Sequence, residues 1–294
     1  MIIETLDQIP PLHQTRLPSK ILMANPEYYD ILYAINPYMK TADGHLNKPN
    51  KELAQIQWKA VYDKYLELGF NVKILQGLEG YPDFVFCANQ SFPFWNQKTN
   101  RAAVIISNMR SDFRKEEVRI FENWYENQGY EIYHVSEKFS FEGNGDAFKH
   151  PDRPLIWGGC GPRTDPGVYN EISEITGWDV ILVPLTRPEF YHLDTCFSII
   201  DSKTAVVQPD AMAPQAMKLI RSVFENVIET GLEECSKSFT ANCHGANDHD
   251  VLLQRGNADF EKKLLKNGFN VHALDTSEFL KSGGSVFCMK MMVF

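Results

Sequence analysis

Short strand-like runs alternate with helical segments along the whole chain, and this order limits the folds open to it. The clearest helix covers Lys51–Leu68, where apolar side chains approximate a 3.6-residue stripe and Gly69 follows: Leu53, Ile56, Trp58, Val61, Tyr65 and Leu68. Strand-like runs are NVKIL from Asn71, AAVIIS from Ala102, EIYHV from Glu131, VILVPL from Val180, VLLQ from Val251, NVHAL from Asn270 and the closing SVFCMKMMVF. Further helices are predicted over 114–128, 213–229 and 258–266. The alternation predicts an α/β protein.

Not all of these strands fit a parallel sheet with helical crossovers. Between Phe197 and Gln208, the runs SII and TAVVQ are separated only by Asp201, Ser202 and Lys203, which is typical of an antiparallel hairpin. A radially repeated ββαβ arrangement accommodates both hairpins and crossovers, with the loops at the strand ends meeting in one central site. No low-complexity or Pro/Gly-rich linker divides the chain, so a single domain over residues 1–294 is predicted.

The charge balance excludes some classes of partner. The formal net charge is -9 and no run of Lys and Arg stands out, which argues against nucleic acid, whose binding depends on clustered cations. The amino terminus lacks the pattern of a signal peptide, and no window approaches the roughly 20 apolar residues of a membrane span. These features favour a cytoplasmic protein that acts on a small, cationic substrate.

The six cysteines are scattered without CxxC spacing: Cys87, Cys160, Cys196, Cys235, Cys243 and Cys288. Neither a zinc knuckle nor a disulfide framework is therefore indicated.

Five polar groups lie in or beside strand-like runs, where a purely structural chain would be apolar. They are YPDFVFCANQ with Asp83 and Asn89, FSFEGNGDAF with Glu142 and Asp146, GGCGPRTD with Arg163, FYHLDTCF with His192 and Asp194, and FLKSGGSVFCMK with Cys288.

Each residue has a structural alternative when taken alone. Glu142 and Asp146 are typical of turn residues that accept hydrogen bonds from nearby amides. His192 between aromatic residues suits a buried core histidine, and Cys288 in an apolar run suits a small buried hydrophobe. Arg163 beside an aspartate resembles an ordinary surface ion pair.

Together these residues complement one type of substrate. A thiol nucleophile needs a base or cation to raise its thiolate fraction, and a histidine can also protonate a leaving amine. A planar guanidinium pairs with carboxylates, which Asp83, Glu142 and Asp194 supply. Arg114 and Arg163 are candidates for receiving the carboxylate at the other end of an amino-acid substrate.

At these residues the chain resembles the guanidino-group-modifying enzymes, also called the amidinotransferase or pentein superfamily. The resemblance runs through MANPEYYDILYAINPYM, PDFVFCAN, FEGNGD, GPRTD, FYHLDT and LKSGGSVFC, and so covers nearly the whole chain. It implies a five-bladed ββαβ propeller. It also implies a catalytic set of Cys288, His192 and Glu142, with Asp83 and Asp194 holding the guanidinium, and Arg114 and Arg163 receiving the substrate carboxylate.

Within the superfamily the chain looks most like the arginine dihydrolase branch, because of its opening block and the Asn in PDFVFCAN. That branch converts arginine through enzyme-held citrulline to ornithine, ammonia and carbon dioxide. The resemblance places Asn36 and Asn89 at the site and implies no metal or organic cofactor. The expected partner is arginine or a derivative, and homo-oligomerisation is left open.

Alternatives stay open at this point. A dimethylarginine dimethylaminohydrolase, an arginine deiminase and an amidinotransferase would use the same catalytic set. From a different class, the scaffold also serves as a non-catalytic binding module. A metal hydrolase built on His244, His249 and Asp250 is a further alternative, although a solvated polar loop is the simpler interpretation of that segment.

Overall fold

The computed structural model of the protein describes residues 1–294 as a mixed α/β structure. Its strands are β1 (Ile2–Ile3), β2 (Lys20–Ala24), β3 (Asn71–Leu75), β4 (Ser91–Asn96), β5 (Arg101–Ile106), β6 (Glu131–His134), β7 (Ala147–Lys149), β8 (Leu155–Cys160), β9 (Asp179–Pro184), β10 (Phe197–Ile199), β11 (Thr204–Val207), β12 (Asn226–Glu229), β13 (His244–Gly245), β14 (Asp250–Gln254), β15 (Asn270–Leu274) and β16 (Met291–Val293). Its α-helices are α1 (Lys51–Glu67), α2 (Asp112–Asn127), α3 (Val168–Thr176), α4 (Pro214–Val223), α5 (Leu232–Ser238), α6 (Ala258–Lys266) and α7 (Ser277–Leu280).

The strands form five small sheets. Each sheet is built from one unit whose elements follow the order strand, strand, helix, strand along the chain. In every unit the first two strands are antiparallel, and the third pairs parallel to the second after a helical crossover. The units are β4-β5-α2-β6, β7-β8-α3-β9, β10-β11-α4-β12, β13-β14-α6-β15 and β16-β2-α1-β3. The ββαβ order and the hairpin between Phe197 and Gln208 are therefore confirmed.

One unit joins the two ends of the chain. Strand β16 pairs antiparallel with β2, which places Met291 opposite Leu22, and β2 pairs parallel with β3. Strand β1 is added to a different sheet, parallel to β9.

The core lies on the middle strand of each unit. All residues of β8 and β11 are buried, and β2, β5 and β14 are buried except at their first residues. These strands are covered on both faces, which explains their nearly continuous apolar sequences. By contrast, β3, β6 and β15 contain no buried residue. No helix of the protein combines the length and apolar character needed to cross a membrane.

Helix α1 matches its predicted range, but its predicted apolar stripe is wrong at Ile56, whose side chain is 66% exposed. Residues two apart lie about 200° from each other around a helix, so Ile56 and Trp58 cannot both face the core. The buried face is centred on Trp58, and it includes Gln57, which bonds to Ser277 and to the amide of Glu278.

Two other boundaries differ from the sequence predictions. The helix predicted over 213–229 ends at Val223, because Phe224 is extended and the β-branched pair Val227 and Ile228 enters β12. The closing strand begins only at Met291. Residues 286–289 form a turn, so Cys288 lies in a loop that leads into the strand.

The fold predicts unequal effects on stability for substitutions of two adjacent leucines in α6. Leu264 is 0% exposed and Leu265 is 58% exposed. We expect Leu264→Ala to lower the free energy of unfolding by about 2–5 kcal/mol, because it opens a cavity in the core. Leu265→Ala, the matched control, should change it by less than about 0.5 kcal/mol. Urea titration followed by circular dichroism measures both, and similar losses in the two variants would contradict the register of α6.

Candidate active site

Polar side chains converge from the loops that lead into the first strand of each ββαβ unit. These loops supply Asp83 and Asn89 before β4, Glu142 before β7, His192 and Asp194 before β10, Asn242 before β13, and Cys288 before β16. The side chains contact one another across the units, as the following bonds show. The repeated unit thus brings segments that are far apart in sequence to one place.

Glu142 is fully buried and paired with two basic side chains. Its Oε2 accepts a hydrogen bond from Arg163 Nη1 at 2.9 Å and lies 2.7 Å from His192 Nε2. Burial raises the pKa of Glu142, but the Arg163 guanidinium and the His192 ring overcome this effect and hold it at about 2. Glu142 therefore stays ionised and orients the imidazole through Nε2.

Cys288 lies between an amide and a carboxyl group. Asn242 Nδ2 donates to Sγ at 3.1 Å, and Sγ donates to Asp194 Oδ2 at 3.1 Å. Asn242 Oδ1 also accepts the backbone N–H of Phe287 at 3.1 Å, so one side chain holds both the thiol and its loop. Burial, reinforced by the charge of Asp194, raises the pKa of Cys288 well above its ordinary value. Burial raises the pKa of Asp194 to about 7.

The Glu142 loop requires glycine where it meets the neighbouring unit. Gly143 has φ +52°, and a Cβ there would lie 2.4 Å from the Ser91 carbonyl oxygen. A Cβ on Gly145 would lie 2.4 Å from Asn89 Nδ2. The two glycines thus allow the loops of adjacent units to touch.

Asp146 lies at the end of this loop, and its carboxylate connects the loop to neighbouring segments. It accepts hydrogen bonds from Thr164 Oγ1 at 2.7 Å and from the Leu193 amide at 2.9 Å, and so ties the Glu142 loop to the His192 loop. Burial raises its pKa to about 6.

Arg114, in the first turn of α2, is held by many acceptors. Its guanidinium donates to both oxygens of Glu117, to Asn89 Oδ1 at 2.9 Å, and to the carbonyls of Asp83 and Phe86. The adjacent Asp83 side chain is buried, and neither of its oxygens has a hydrogen-bond partner. Burial raises the pKa of Asp83 although Arg114 opposes the shift. Asp83 is thus a free acceptor beside the Arg114 cation, whose Nη1 donates only to Asn89.

The segment between β2 and α1 covers this cluster. Arg163 Nη2 donates to the Ile35 carbonyl at 2.7 Å, and Asn36 Nδ2 donates to the Ser282 carbonyl at 2.8 Å. Beneath it lies a cavity of about 20 Å³, which holds roughly one water molecule. A cavity of this size is too small for an amino acid, so part of its lining must move for one to bind.

The nine site residues predicted from the sequence are brought together. Seven line the small cavity: Asn36, Asp83, Asn89, Arg114, Arg163, His192 and Cys288. Glu142 and Asp194 bond to His192 and Cys288, respectively. By contrast, His244 bonds to Tyr65, Asp250 pairs with His272, and His249 is exposed, so these three do not form a ligand group.

Sequence reasoning missed Asn242 and Glu117. Asn242 lies in the loop that leads into the first strand of its unit, and the corresponding loops of the other units carry chemically active side chains. Recognition of the five-fold repeat would have singled it out. Glu117 follows Arg114 by three residues on a helix, a spacing that predicts an ion pair.

The arrangement has the parts needed for nucleophilic displacement at a cationic carbon. It combines a thiol, an imidazole oriented by a carboxylate, and free carboxylate oxygens in a buried site.

Known proteins are similar to this chain in sequence and in structure. The family model described as N,N dimethylarginine dimethylhydrolase, eukaryotic, matches residues 26–294. The N(G),N(G)-dimethylarginine dimethylaminohydrolase of Mycobacterium tuberculosis is 29% identical over 284 residues, which cover 96% of this chain and 88% of that protein. The bifunctional arginine dihydrolase/ornithine cyclodeaminase ArgZ of Synechocystis sp. is 29% identical over 275 residues, covering 93% of this chain and 37% of that longer protein. The crystal structure of a substrate-bound N-terminal domain of ArgZ, a cyanobacterial arginine dihydrolase, has a TM-score of 0.84 at 28% identity and covers 92% of this chain and 97% of that one.

The site predicts how Asp194 controls the thiol. Because its negative charge raises the pKa of Cys288, Asp194→Asn should increase the thiolate fraction and speed alkylation by iodoacetamide at pH 8. An increase of about tenfold corresponds to a fall of about one pKa unit. Mass spectrometry locates the alkylated residue, and Asp259→Asn on the exposed face of α6 is the control. An unchanged or slower rate in Asp194→Asn would contradict the electrostatic role.

Proposed function

Because this chain belongs to the eukaryotic N,N-dimethylarginine dimethylhydrolase family, and is thus a hydrolase of guanidino C–N bonds, we propose that its substrate is L-arginine. We further propose that it acts as an arginine dihydrolase, releasing ornithine, ammonia and carbon dioxide. The observation that carries this proposal is the buried Asp194 Oδ1, which has no hydrogen-bond partner while Oδ2 faces the Cys288 thiol.

An unmethylated guanidinium satisfies that oxygen. The group has five N–H donors in a fixed plane, and dimethylation of one nitrogen replaces two of them with methyl groups. A buried site built to accept N–H bonds rejects an analogue that lacks them, because its acceptors are then left unpaired. N,N-dimethylarginine keeps three of the five N–H donors, so Asp194 favours arginine when the nitrogen that would carry the methyl groups is the one facing its free oxygen. The similarity to ArgZ supports the same choice.

The opposite end of the site suits an α-amino acid. The Asp83 carboxylate forms no hydrogen bond to Cys288 or His192, and it lies near the Arg114 charge. We assign Asp83 to the substrate α-ammonium, and so leave the guanidinium to Asp194. Arg114 and Arg163 line the same cavity and would receive the α-carboxylate, with Arg163 releasing the Ile35 carbonyl as the covering segment opens.

In the first half of the reaction, the substrate itself activates the nucleophile. The guanidinium cation beside Cys288 favours the thiolate. It opposes the burial and the Asp194 charge, both of which favour the protonated thiol. Sulfur then forms a bond to the guanidinium carbon. The carbon–nitrogen bond breaks, and His192 gives a proton to the departing ammonia. A covalent S-alkylthiouronium intermediate remains on Cys288.

In the second half, His192 accepts a proton from water, whose oxygen displaces the sulfur and yields the ureido group of citrulline. Glu142 stabilises the charged imidazole during both steps. A second attack by the thiolate on the ureido carbon releases another ammonia and forms a thiocarbamate. Its hydrolysis gives the carbamic acid of ornithine, which loses carbon dioxide. The sum is arginine and two waters to ornithine, two ammonia and carbon dioxide.

We also propose that residues 1–294 form one catalytic domain in which the five ββαβ units close into a propeller. Three of the five leading loops line one cavity, and the other two contact them through Glu142 and Asn242, which supports this arrangement.

The second candidate function is dimethylarginine hydrolysis. It is favoured by the family match and by the mycobacterial relative, which is similar over 96% of this chain. That reaction would use the same nucleophile and base, but it would release dimethylamine and stop at citrulline.

Product analysis separates the two functions. Purified protein incubated with L-arginine should give ornithine and two ammonia equivalents, measured by mass spectrometry and an ammonia assay, and Cys288→Ser should lose all turnover. Citrulline as the only product from arginine would contradict the second attack. Turnover of N,N-dimethylarginine in preference to arginine would overturn the proposed substrate.

The role of Asp83 is tested by separating KM from kcat. If Asp83 binds the α-ammonium, Asp83→Asn should raise KM for L-arginine by about 10- to 100-fold, a loss of about 1.4–2.7 kcal/mol, with a smaller change in kcat. Asp63→Asn, in an exposed ion pair on α1, is the control. A large fall in kcat with KM unchanged would instead place Asp83 at the reacting guanidinium.

A further inference from the structure

A second cavity, separate from the proposed active site, has a volume of about 440 Å³ and shares no lining residue with the first. This volume is within the range of small-molecule pockets, about 300–1,000 Å³. Its apolar lining comes mainly from Phe92, Phe148, Ile199, Ile200, Phe287 and Met292. Nothing in the mechanism above uses it.

One cation in this lining has no polar partner. Lys290 is 1% exposed, and its Nζ makes no hydrogen bond and no ion pair within 4.0 Å, although it lies 3.5 Å from the centre of the Phe287 ring. The other lining lysine, Lys149, differs because its Nζ donates to the Arg16 carbonyl at 2.7 Å. Lys290 is therefore the lysine whose ammonium is available to a molecule in the cavity.

An isolated buried ammonium is unfavourable. Burial lowers the pKa of Lys290 to about 7, although Cys87 and Asp194 nearby oppose the shift. The direction reflects the cost of keeping a charge there without a counter-ion in direct contact. The ring face of Phe287 offsets only part of this cost. An anion beside Nζ would supply the missing charge and hydrogen-bond acceptors.

The carboxylates of the lining do not fill this role. Asp201 Oδ1 accepts the amides of Lys203 and Thr204, Asp152 pairs with His150 at 3.0 Å, and Asp248 is exposed. None forms an ion pair with Lys290.

We propose that the second cavity binds a small organic carboxylate, with its anionic group on Lys290 and its hydrocarbon part against the aromatic and aliphatic walls. The cavity thereby gives the protein a ligand site distinct from the guanidino site. The two sites meet at one turn, because Phe287 and Lys290 line the second cavity and Cys288 lies between them.

Ligand-induced stabilisation tests this site. Sodium butyrate is the probe, with sodium chloride at equal ionic strength and the neutral isostere butyramide as controls. A ligand that binds only the folded state raises the melting temperature. We expect butyrate to raise it by about 2 °C or more, and butyramide to have no such effect.

Two variants locate the bound butyrate. Lys290→Met should melt at a higher temperature than the parent without ligand, since it removes an unpaired buried charge, and it should lose the butyrate response. Arg163→Lys, which alters the carboxylate receptor of the first cavity, should keep the response. The proposal is overturned if butyrate gives no rise above chloride, if Lys290→Met keeps the response, or if Arg163→Lys loses it.

Discussion

The ion pair between Glu142 and Arg163 is the interaction on which the site depends. A carboxylate that is 0% exposed must be paired, and removing one partner of a buried ion pair typically costs about 3–5 kcal/mol. Here the same carboxylate also orients His192, and the same guanidinium bonds to the Ile35 carbonyl of the covering segment. One buried charge pair therefore positions the base and anchors the segment above it.

The other contacts follow from the repetition of a small structural unit. A ββαβ unit has one short loop leading into its first strand, and five such units provide five loops that differ in chemistry. One loop supplies a carboxylate, another a base, and another a thiol, while Asn242 supplies the amide that holds the thiol in place. Because the chemical roles lie on different units, each loop is supported by the buried middle strand of its own unit. The packed core therefore holds the site residues in place.

The sequence predicted the fold class and the members of the site better than it predicted boundaries. The helices α1 and α6 lie where expected, and the nine polar side chains converge. The helix predicted through Glu229 failed because tertiary pairing with β11 favoured a strand over Asn226–Glu229. Cys288 was expected within a strand, since apolar residues alone do not distinguish a strand from the buried turn before it. Asn242 was missed because its role depends on a distant thiol.

The pairing of β16 with β2 bears on the order in which the molecule assembles. The contact between Met291 and Leu22 joins residues separated by almost the whole chain, and such contacts slow folding more than they reduce final stability. Cys288 lies three residues before β16, so the pairing of β16 with β2 ties the loop of the nucleophile to the opposite end of the chain. The position of the thiol therefore depends on a contact between the two ends of the chain, whereas the bond between Glu142 and His192 does not.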